Sequence, residues 1–562
     1  MPLLQPEQPP YDALQWRTLP WSERIRLATR AWAVQGYGAP VAVYLLYALK
    51  VLFYIGAWCW FCSFSTGLGD PLTLTSWCFE PVAFQKAVLW SMAFESLGLG
   101  CASGPLTGRY HPPIGGMLYF LRPGTAKLSL LPRLPLLGGN RRRLLDVALY
   151  ATHLILLARA LVAPELGVEL LLPIVVLVPV LGLADKTLFL AARGEHYYVT
   201  TVCFLFVDDW IAGAMAVQLA IWLWAATSKL NHHFPAVVCV MTSNSPSTPF
   251  VWLRKQLYRS YPDDLRPSKW AYLIAHVGTA VEFIFPVLLV VGTGGWCTTV
   301  GLAMMVAMHV YITSNIPLAA PIEWNFHVVY GGFFLFAGHP EVSVFSIADP
   351  TLASLLVGAL VVIPLIGQLA PDRVSFLLAM RYYAGNWAYG IWLFRRQGDT
   401  RRKLDRELTK SSAWIEDQLA RYYDEQTIAG VMSKVPAFRA MHLHGRALHD
   451  LLGRAVDDIE AYHYVDGEVV AGITLGWNFG DGHLHNERLL SLIQERCQFQ
   501  DGDLRCIFVE SQPLLGSALP WRIVDAASGE LARGQVPVAT LLQRQPWPAQ
   551  TNQPTDRQAG DA

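Results

Sequence analysis

The stretch Pro40–Cys62, PVAVYLLYALKVLFYIGAWCWFC, decides the fold class. A helix needs about 20 apolar residues to cross a bilayer, because each residue rises 1.5 Å across a hydrocarbon core of roughly 30 Å. This stretch meets that requirement. Outward from it, Val82–Ala102, Leu144–Val162, Leu170–Ala184, Trp210–Ser228, Trp270–Val291, Thr298–Ile316, Trp324–Ala337 and Leu352–Leu369 read as further spans. A shorter run, His196–Val207, reads as a re-entrant or tilted partner. The sequence therefore predicts an all-α polytopic membrane bundle of 8–10 transmembrane helices.

Composition agrees. The chain has 562 residues, 53% of them hydrophobic and 15% charged, with a mean hydropathy of +0.32. That excludes a disordered chain, which needs few apolar residues and much charge. The 43 Lys and Arg balance the 43 Asp and Glu, so no global field points to nucleic acid. Nine cysteines, mostly in apolar runs, read as small hydrophobes rather than a disulfide framework. The CxxC of Cys59 and Cys62 lies inside a span. The Pro-rich, charged start has no apolar signal-peptide core.

Loop charge gives an independent check. The N-terminal arm carries Arg17, Arg24, Arg26 and Arg30. The loops 103–143 and 231–269 and the stretch after Ala370 are also basic, whereas the loops 63–81, 163–169 and 338–350 hold no Lys or Arg. Basic flanks favour the cytoplasm. The alternation places both termini there, in a bacterial inner membrane, and requires an even number of crossings. The expected organisation is a cytoplasmic arm over 1–39, membrane domain 40–370, interfacial segment 371–394, a small α+β cytoplasmic C-terminal domain 395–547 and a polar tail 548–562. Within that domain Leu404–Tyr423 and Thr427–Ile459 read as helices. Tyr462–Trp477 reads as a strand pair turning at Asp466-Gly467, with strands at Leu504–Glu510 and Trp521–Asp525. Asn486 reads as the cap of a following helix.

A charge at the bilayer centre costs roughly 2.5–3.5 kcal/mol on insertion scales, so such residues face the bundle interior and a partner. Lys86, Glu95, Arg159, Asp208, Asp209, Lys229 and Glu282 fall in this class, with His153, His196, His276 and His309 as titratable neighbours. Glu95, mid-span in WSMAFESLGLG, is a substrate-pathway candidate. In the tail, His442 and His444 in MHLHGRALHD and His483 and His485 in GDGHLHNE form two HxH pairs. Together these could supply imidazole ligands to zinc or a similar ion.

Two stretches carry a resemblance. GLADKTLFLAARGEHYYVTTVCFLFVDD leads to QLAIWLWAATSKLN, and HVGTAVEFIFPVLLVVGTGGWCTTVGLAMMVAMHVYIT follows. Their order resembles the vitamin K-dependent gamma-carboxylase-like membrane domain, horizontally transferred among bacteria, over roughly residues 40–340. That resemblance implies Lys229 as a base toward a reduced quinone and implicates His196, with Glu282 and His309 orienting substrate or relaying protons. No segment reads as the large extracytoplasmic domain that a peptide substrate would need. The stretches FESLGLGCASGPLTGRYHPPIGGMLYFLRPGTAKL and NFGDGHLHNERLL resemble, more closely, a bacterial multi-pass family catalogued only as a domain of unknown function. That resemblance implies no activity.

The leading expectation is redox or proton-abstraction chemistry on a lipid-soluble substrate, a quinone or an isoprenoid, with no cofactor named by the residues. The alternatives are a transporter or flippase, with Glu95 and Glu282 titrating in a pathway, and a membrane scaffold whose tail recruits a soluble protein partner. The lipid bilayer is a partner in each case.

Overall fold

The computed structural model describes residues 3–68, 73–100, 115–246, 248, 250–318, 322–374, 378, 384–477 and 482–548. Six helices are long and apolar enough to cross a membrane: Val41–Cys62, Leu144–Val162, Trp210–Ser228, Lys269–Val291, Trp296–Thr313 and Pro350–Leu369. Shorter apolar helices stand beside them, among them Pro81–Ser96 and Val168–Ala184. The first helix turns Leu45, Leu46, Leu49, Leu52 and Phe53 outward. Leu273, Val277, Ile284 and Val287 do the same on Lys269–Val291. An apolar exterior of this kind requires lipid as its solvent. Pro81–Ser96 lies inside the bundle and is almost wholly buried, and Trp210–Ser228 lies largely so.

The connectors sort into two ends. At the far end the Thr66 N–H donates to the Pro164 carbonyl at 3.2 Å, and the Tyr330 hydroxyl to the Cys78 carbonyl at 2.7 Å. Asp209 Oδ2 accepts from the backbone N–H groups of Ala348 and Asp349 at 3.0 and 2.7 Å. None of these far-end connectors contains Lys or Arg. The basic connectors lie at the opposite, near end, against the C-terminal unit. There Lys186 Nζ donates to the His483 carbonyl at 3.2 Å, and Arg488 donates to the Ser129 carbonyl.

The C-terminal unit is built on a five-stranded antiparallel sheet. A short hairpin, β1 (Tyr258–Ser260) and β2 (Asp264–Pro267), precedes it in the chain. The sheet comprises β3 (Tyr389–Arg395), β4 (Tyr462–Asp466), β5 (Leu504–Val509), β6 (Ala518–Asp525) and β7 (Gly529–Pro537), in the order β4-β3-β5-β6-β7. Ile391, Leu393, Ile507 and Ile523 face a core shared with Leu443–Ala455. Trp392, Phe394, Cys506 and Phe508 join the core that contains Val470, Ile473, Leu489 and Leu492. Both faces are thus covered, so β3 lacks polar alternation. That is why β3 falls almost wholly inside what the sequence reads as an interfacial segment.

Three other expectations change. Only the first half of Tyr462–Trp477 is a strand. Asp466 accepts the Glu468 N–H at 2.9 Å and caps a helix, Gly467–Leu475, that is buried all round and so shows no helical periodicity. Leu404–Tyr423 holds two short helices, Lys403–Glu407 and Ile415–Leu419, rather than one. Thr427–Ile459 breaks at His442 into Glu425–Met441 and Leu443–Ala455. The two pack tightly enough that a Cβ on Gly445 would fall 1.8 Å from the Arg439 carbonyl oxygen. Asn486 caps Glu487–Cys497 as expected, accepting from the Arg488 N–H at 3.0 Å.

The N-terminal arm belongs to this assembly. Arg24, on the helix Trp21–Gln35, pairs with Glu460 at 2.5 Å. Lys434 Nζ donates to the Glu7 carbonyl at 2.8 Å. The arm and the C-terminal unit therefore share the near end.

Candidate functional site

Between Asp185 and Asp209 the chain passes from the near end to the far end without making one helix. Asp185 starts the passage: it accepts the Thr187 N–H at 3.1 Å and pairs with the buried Arg142 at 2.5 Å. Lys186–Ala191 is helical, Arg193 takes left-handed backbone (φ 51°), Gly194–Tyr198 forms a π-helical turn and Val199–Cys203 resumes the α-helix. Irregular backbone at membrane depth is tolerated where protein buries it or where it lines a cavity. A left-handed arginine is costly unless its surroundings fix it. Gly194, Glu195, His196 and Tyr197 are all buried.

This break delivers charges to the bundle interior. Arg193 donates through Nε and Nη2 to Glu95 Oε1, both at 3.4 Å, and lies 3.9 Å from Glu195. Lys50, on the first helix, pairs with Glu323 at 3.1 Å and donates to the Gly100 carbonyl at 3.0 Å. A Cβ on Gly100 would meet Glu95 Oε2 at 2.2 Å and Glu323 Oε1 at 2.8 Å, so the two carboxylates converge on that glycine. Arg193, Glu95, Glu195 and Glu323 are at most 2% exposed on their side chains, and Lys50 is 18% exposed.

The helix Ile322–Gly332 organises the remainder. Trp324 Nε1 donates to His196 Nδ1 at 3.0 Å, which leaves the imidazole proton on Nε2. Asn325 Oδ1 accepts from His309 Nδ1 at 2.7 Å, while His309 Nε2 accepts from Trp222 Nε1 at 3.1 Å. His327 stands 5.3 Å from the His196 ring and bonds Ser91 Oγ at 3.2 Å. Lys229, capping Trp210–Ser228, forms a buried ion pair with Glu282 of Lys269–Val291. The structure thus pairs Lys229 with Glu282, and one helix links His196 to His309 through adjacent residues. Glu95 joins His196 through the Arg193 segment.

Other charged residues of the spans have structural settings. Lys86 Nζ donates to the Phe61 carbonyl at 2.8 Å, and His153 Nε2 shares a hydrogen bond with Ser96 Oγ at 3.1 Å. Arg159, Asp208 and His276 are exposed.

The tail histidines are not gathered around an ion. Among the described residues no group of three or more His, Cys, Asp or Glu is placed to hold a metal. His442 Nδ1 bonds the Phe438 carbonyl at 2.8 Å and His444 Nδ1 the Gly385 carbonyl at 3.1 Å. His483 pairs with Glu510 at 2.8 Å. His485 lies against Gly390 and Gly467. Asp481, which the sequence sets beside the second pair, lies outside the described residues.

A family model described as "transmembrane protein of unknown function (DUF3556)" matches residues 1–558. The chain belongs to this family. No curated protein and no solved structure matches it. The match agrees with the uncharacterised multi-pass resemblance; none of the comparisons returns the carboxylase-like one.

In this DUF3556 chain the sequence reading missed Lys50, Arg193, Glu195, Glu323, Asn325 and His327. Arg193 and Glu195 fall just before the short run His196–Val207, and Glu323 just before Trp324–Ala337. Hydropathy sets the start of both runs, and it discards the polar residues at a helix break. The pattern Glu323-Trp324-Asn325-x-His327 at the head of an apolar segment was the available signal.

Outside the membrane, burial pushes the His442 and His449 imidazoles down to about 3 and His444 to about 4. Burial raises Glu468 to about 7, against the pull of Arg439. Burial, with Arg396 and Arg401, also drives His463 to about 4, so unfolding takes up four protons at the histidines between about pH 4 and 6.5. Glu468 offsets one of them, because it holds a proton in the fold that the open chain releases. The net effect is stability that is full above about pH 6.5 and declines on acidification, by about 1.4 kcal/mol per pH unit for each net proton. The expected outcome is a lower melting temperature at pH 5 than at pH 7, with a shallower pH dependence in His449→Gln. A melting temperature that rises on acidification contradicts this.

Proposed function

We propose that the protein is a multi-pass enzyme of a bacterial inner membrane that moves protons on a lipid-soluble substrate of the quinone or isoprenoid class. The observation that carries this reading is the broken passage at residues 186–203, which buries His196 against Trp324 and Arg193 against Glu95, with Glu323 next to Trp324 on the facing helix. In this reading the Glu323 carboxylate, held by Lys50, takes a proton from one carbon of the substrate and returns it to another, while neutral His196 donates a hydrogen bond from Nε2 to the substrate oxygen and keeps its proton. The exchange is balanced within the protein. Arg193 and Glu95 position the break, and Asn325 fixes the ring of His309.

The carboxylase-like resemblance makes Lys229 the base. An ion-paired ammonium has no lone pair to accept a proton, so we assign the Lys229–Glu282 pair a positioning role instead. The six long helices, Pro81–Ser96, Val168–Ala184, the broken passage and Ile322–Ala337 together support ten crossings. Gathering of the basic connectors at one end, with both terminal regions, supports a cytoplasmic near end by the positive-inside rule. The discontinuous crossing also favours a second reading, transport, since interrupted helices form substrate sites in transporters.

Two tests follow from this reading. Lipids from a deletion strain are compared with those from strains carrying only His196→Ala or Glu323→Gln, at matched protein levels. The enzyme reading expects the same altered lipid in all three; wild-type lipids in both point-variant strains contradict it and leave transport. For orientation, a cysteine replacing Ser343 is expected to react with an impermeant maleimide in intact cells, and one replacing Arg133 only after lysis. The reverse pattern contradicts a cytoplasmic near end.

A further inference from the structure

Apart from the membrane centre, a cavity of about 550 Å³ opens between the N-terminal arm and the C-terminal unit. This is within the range of small-molecule sites. One wall is basic. Arg24 is buried beneath Trp21, with its guanidinium 5.0 Å from the ring centre, and Arg401 lies 4.9 Å over Trp414. Arg396 stands between them, its Nε donating to the Tyr462 carbonyl at 3.1 Å. The floor is apolar, formed by Ile415, Met432, Val465 and Val469.

Three of the residues that line this cavity carry a buried donor without an acceptor: Arg24 Nε, Arg401 Nε and the indole Nε1 of Trp21. A buried donor left unmade is costly, so an acceptor-rich occupant that draws these side chains toward it would relieve that cost. The acids on the walls are already engaged: Glu460 with Arg24, Glu416 with Arg401 and Asp466 with Arg439. Arg396 has no carboxylate partner among the described residues. Burial, and then the neighbouring Arg24, press its proton affinity down, and burial with Arg396 and Arg401 drives His463 to about 4. The cavity therefore holds more positive charge than its own acids neutralise.

We propose that this cavity binds a phosphate-bearing aromatic metabolite of mononucleotide size. The phosphate takes the orphaned N–H donors and the Arg396 guanidinium, and the ring lies on the apolar floor beside Trp16 and Trp414. Because Trp16, Trp21 and Arg24 come from the arm and the rest from the C-terminal unit, the ligand staples the two together at the near end.

The test uses the full-length protein in detergent micelles, with AMP and inorganic phosphate as probes, read by calorimetric titration and by melting temperature. The proposal expects saturable AMP binding that raises the melting temperature. Arg396→Ala and Trp21→Phe, each checked for an unchanged melt without ligand, weaken it at least tenfold, and phosphate alone binds at least tenfold more weakly. Should one variant fail to fold, the other carries the comparison. Absence of saturable AMP binding, equal binding by the folded variants, or phosphate binding as tightly as AMP overturns the proposal. Loss of lipid chemistry in the membrane variants has no bearing on this result.

Discussion

The contact between Arg193 and Glu95 constrains the rest of the bundle. A chain crossing hydrocarbon must satisfy its backbone internally, and an α-helix is the simplest way to do so. Here the helix is abandoned at Arg193, whose left-handed backbone and π-helical successor turn Glu195, His196 and Tyr197 inward. Such a break persists only if its charge is met. Glu95 meets it from Pro81–Ser96, a helix that is almost wholly buried. Removing one partner of a buried pair costs about 3–5 kcal/mol, far more than an exposed pair contributes. The interior position of Pro81–Ser96, with Lys86, Ser91 and Glu95 all buried, follows from that requirement.

Around the break the geometry is economical. Consecutive residues of Ile322–Gly332 reach in different directions: Glu323 to Lys50, Trp324 to His196, Asn325 to His309 and His327 to Ser91. The polar groups sit on helices whose outer faces are apolar, so lipid stays outside while ionisable groups meet inside. At the near end the arm, the basic connectors and the C-terminal unit interlock. Buried pairs of Lys127 with Asp146 and of Arg142 with Asp185 hold the point where the broken passage starts.

The membrane class, the long spans, the sorting of connector charge and the cap at Asn486 were legible in the sequence because each rests on local chemistry: apolar length, net cation count and a single side-chain oxygen. The candidate centre was legible in half. Glu95, His196, Lys229, Glu282 and His309 stand out as ionisable residues within apolar runs. Arg193, Glu195 and Glu323 do not, because they lie where hydropathy falls and a span is judged to have ended. A break inside a crossing and a loop between crossings look alike until the packing is known. In the C-terminal unit the same ambiguity hid β3 and turned Gly467–Leu475 into a strand: a segment buried on every side carries no period to read.

The central claim is that Arg193 and Glu95 hold a broken crossing in the bundle interior. A double-mutant cycle of Glu95→Gln and Arg193→Met, read as resistance of the lipid-solubilised protein to unfolding, tests it most directly. The account predicts that each single change destabilises strongly and that the double variant is more stable than the sum of the two losses, with a coupling of about 1–3 kcal/mol. Strictly additive losses would contradict it.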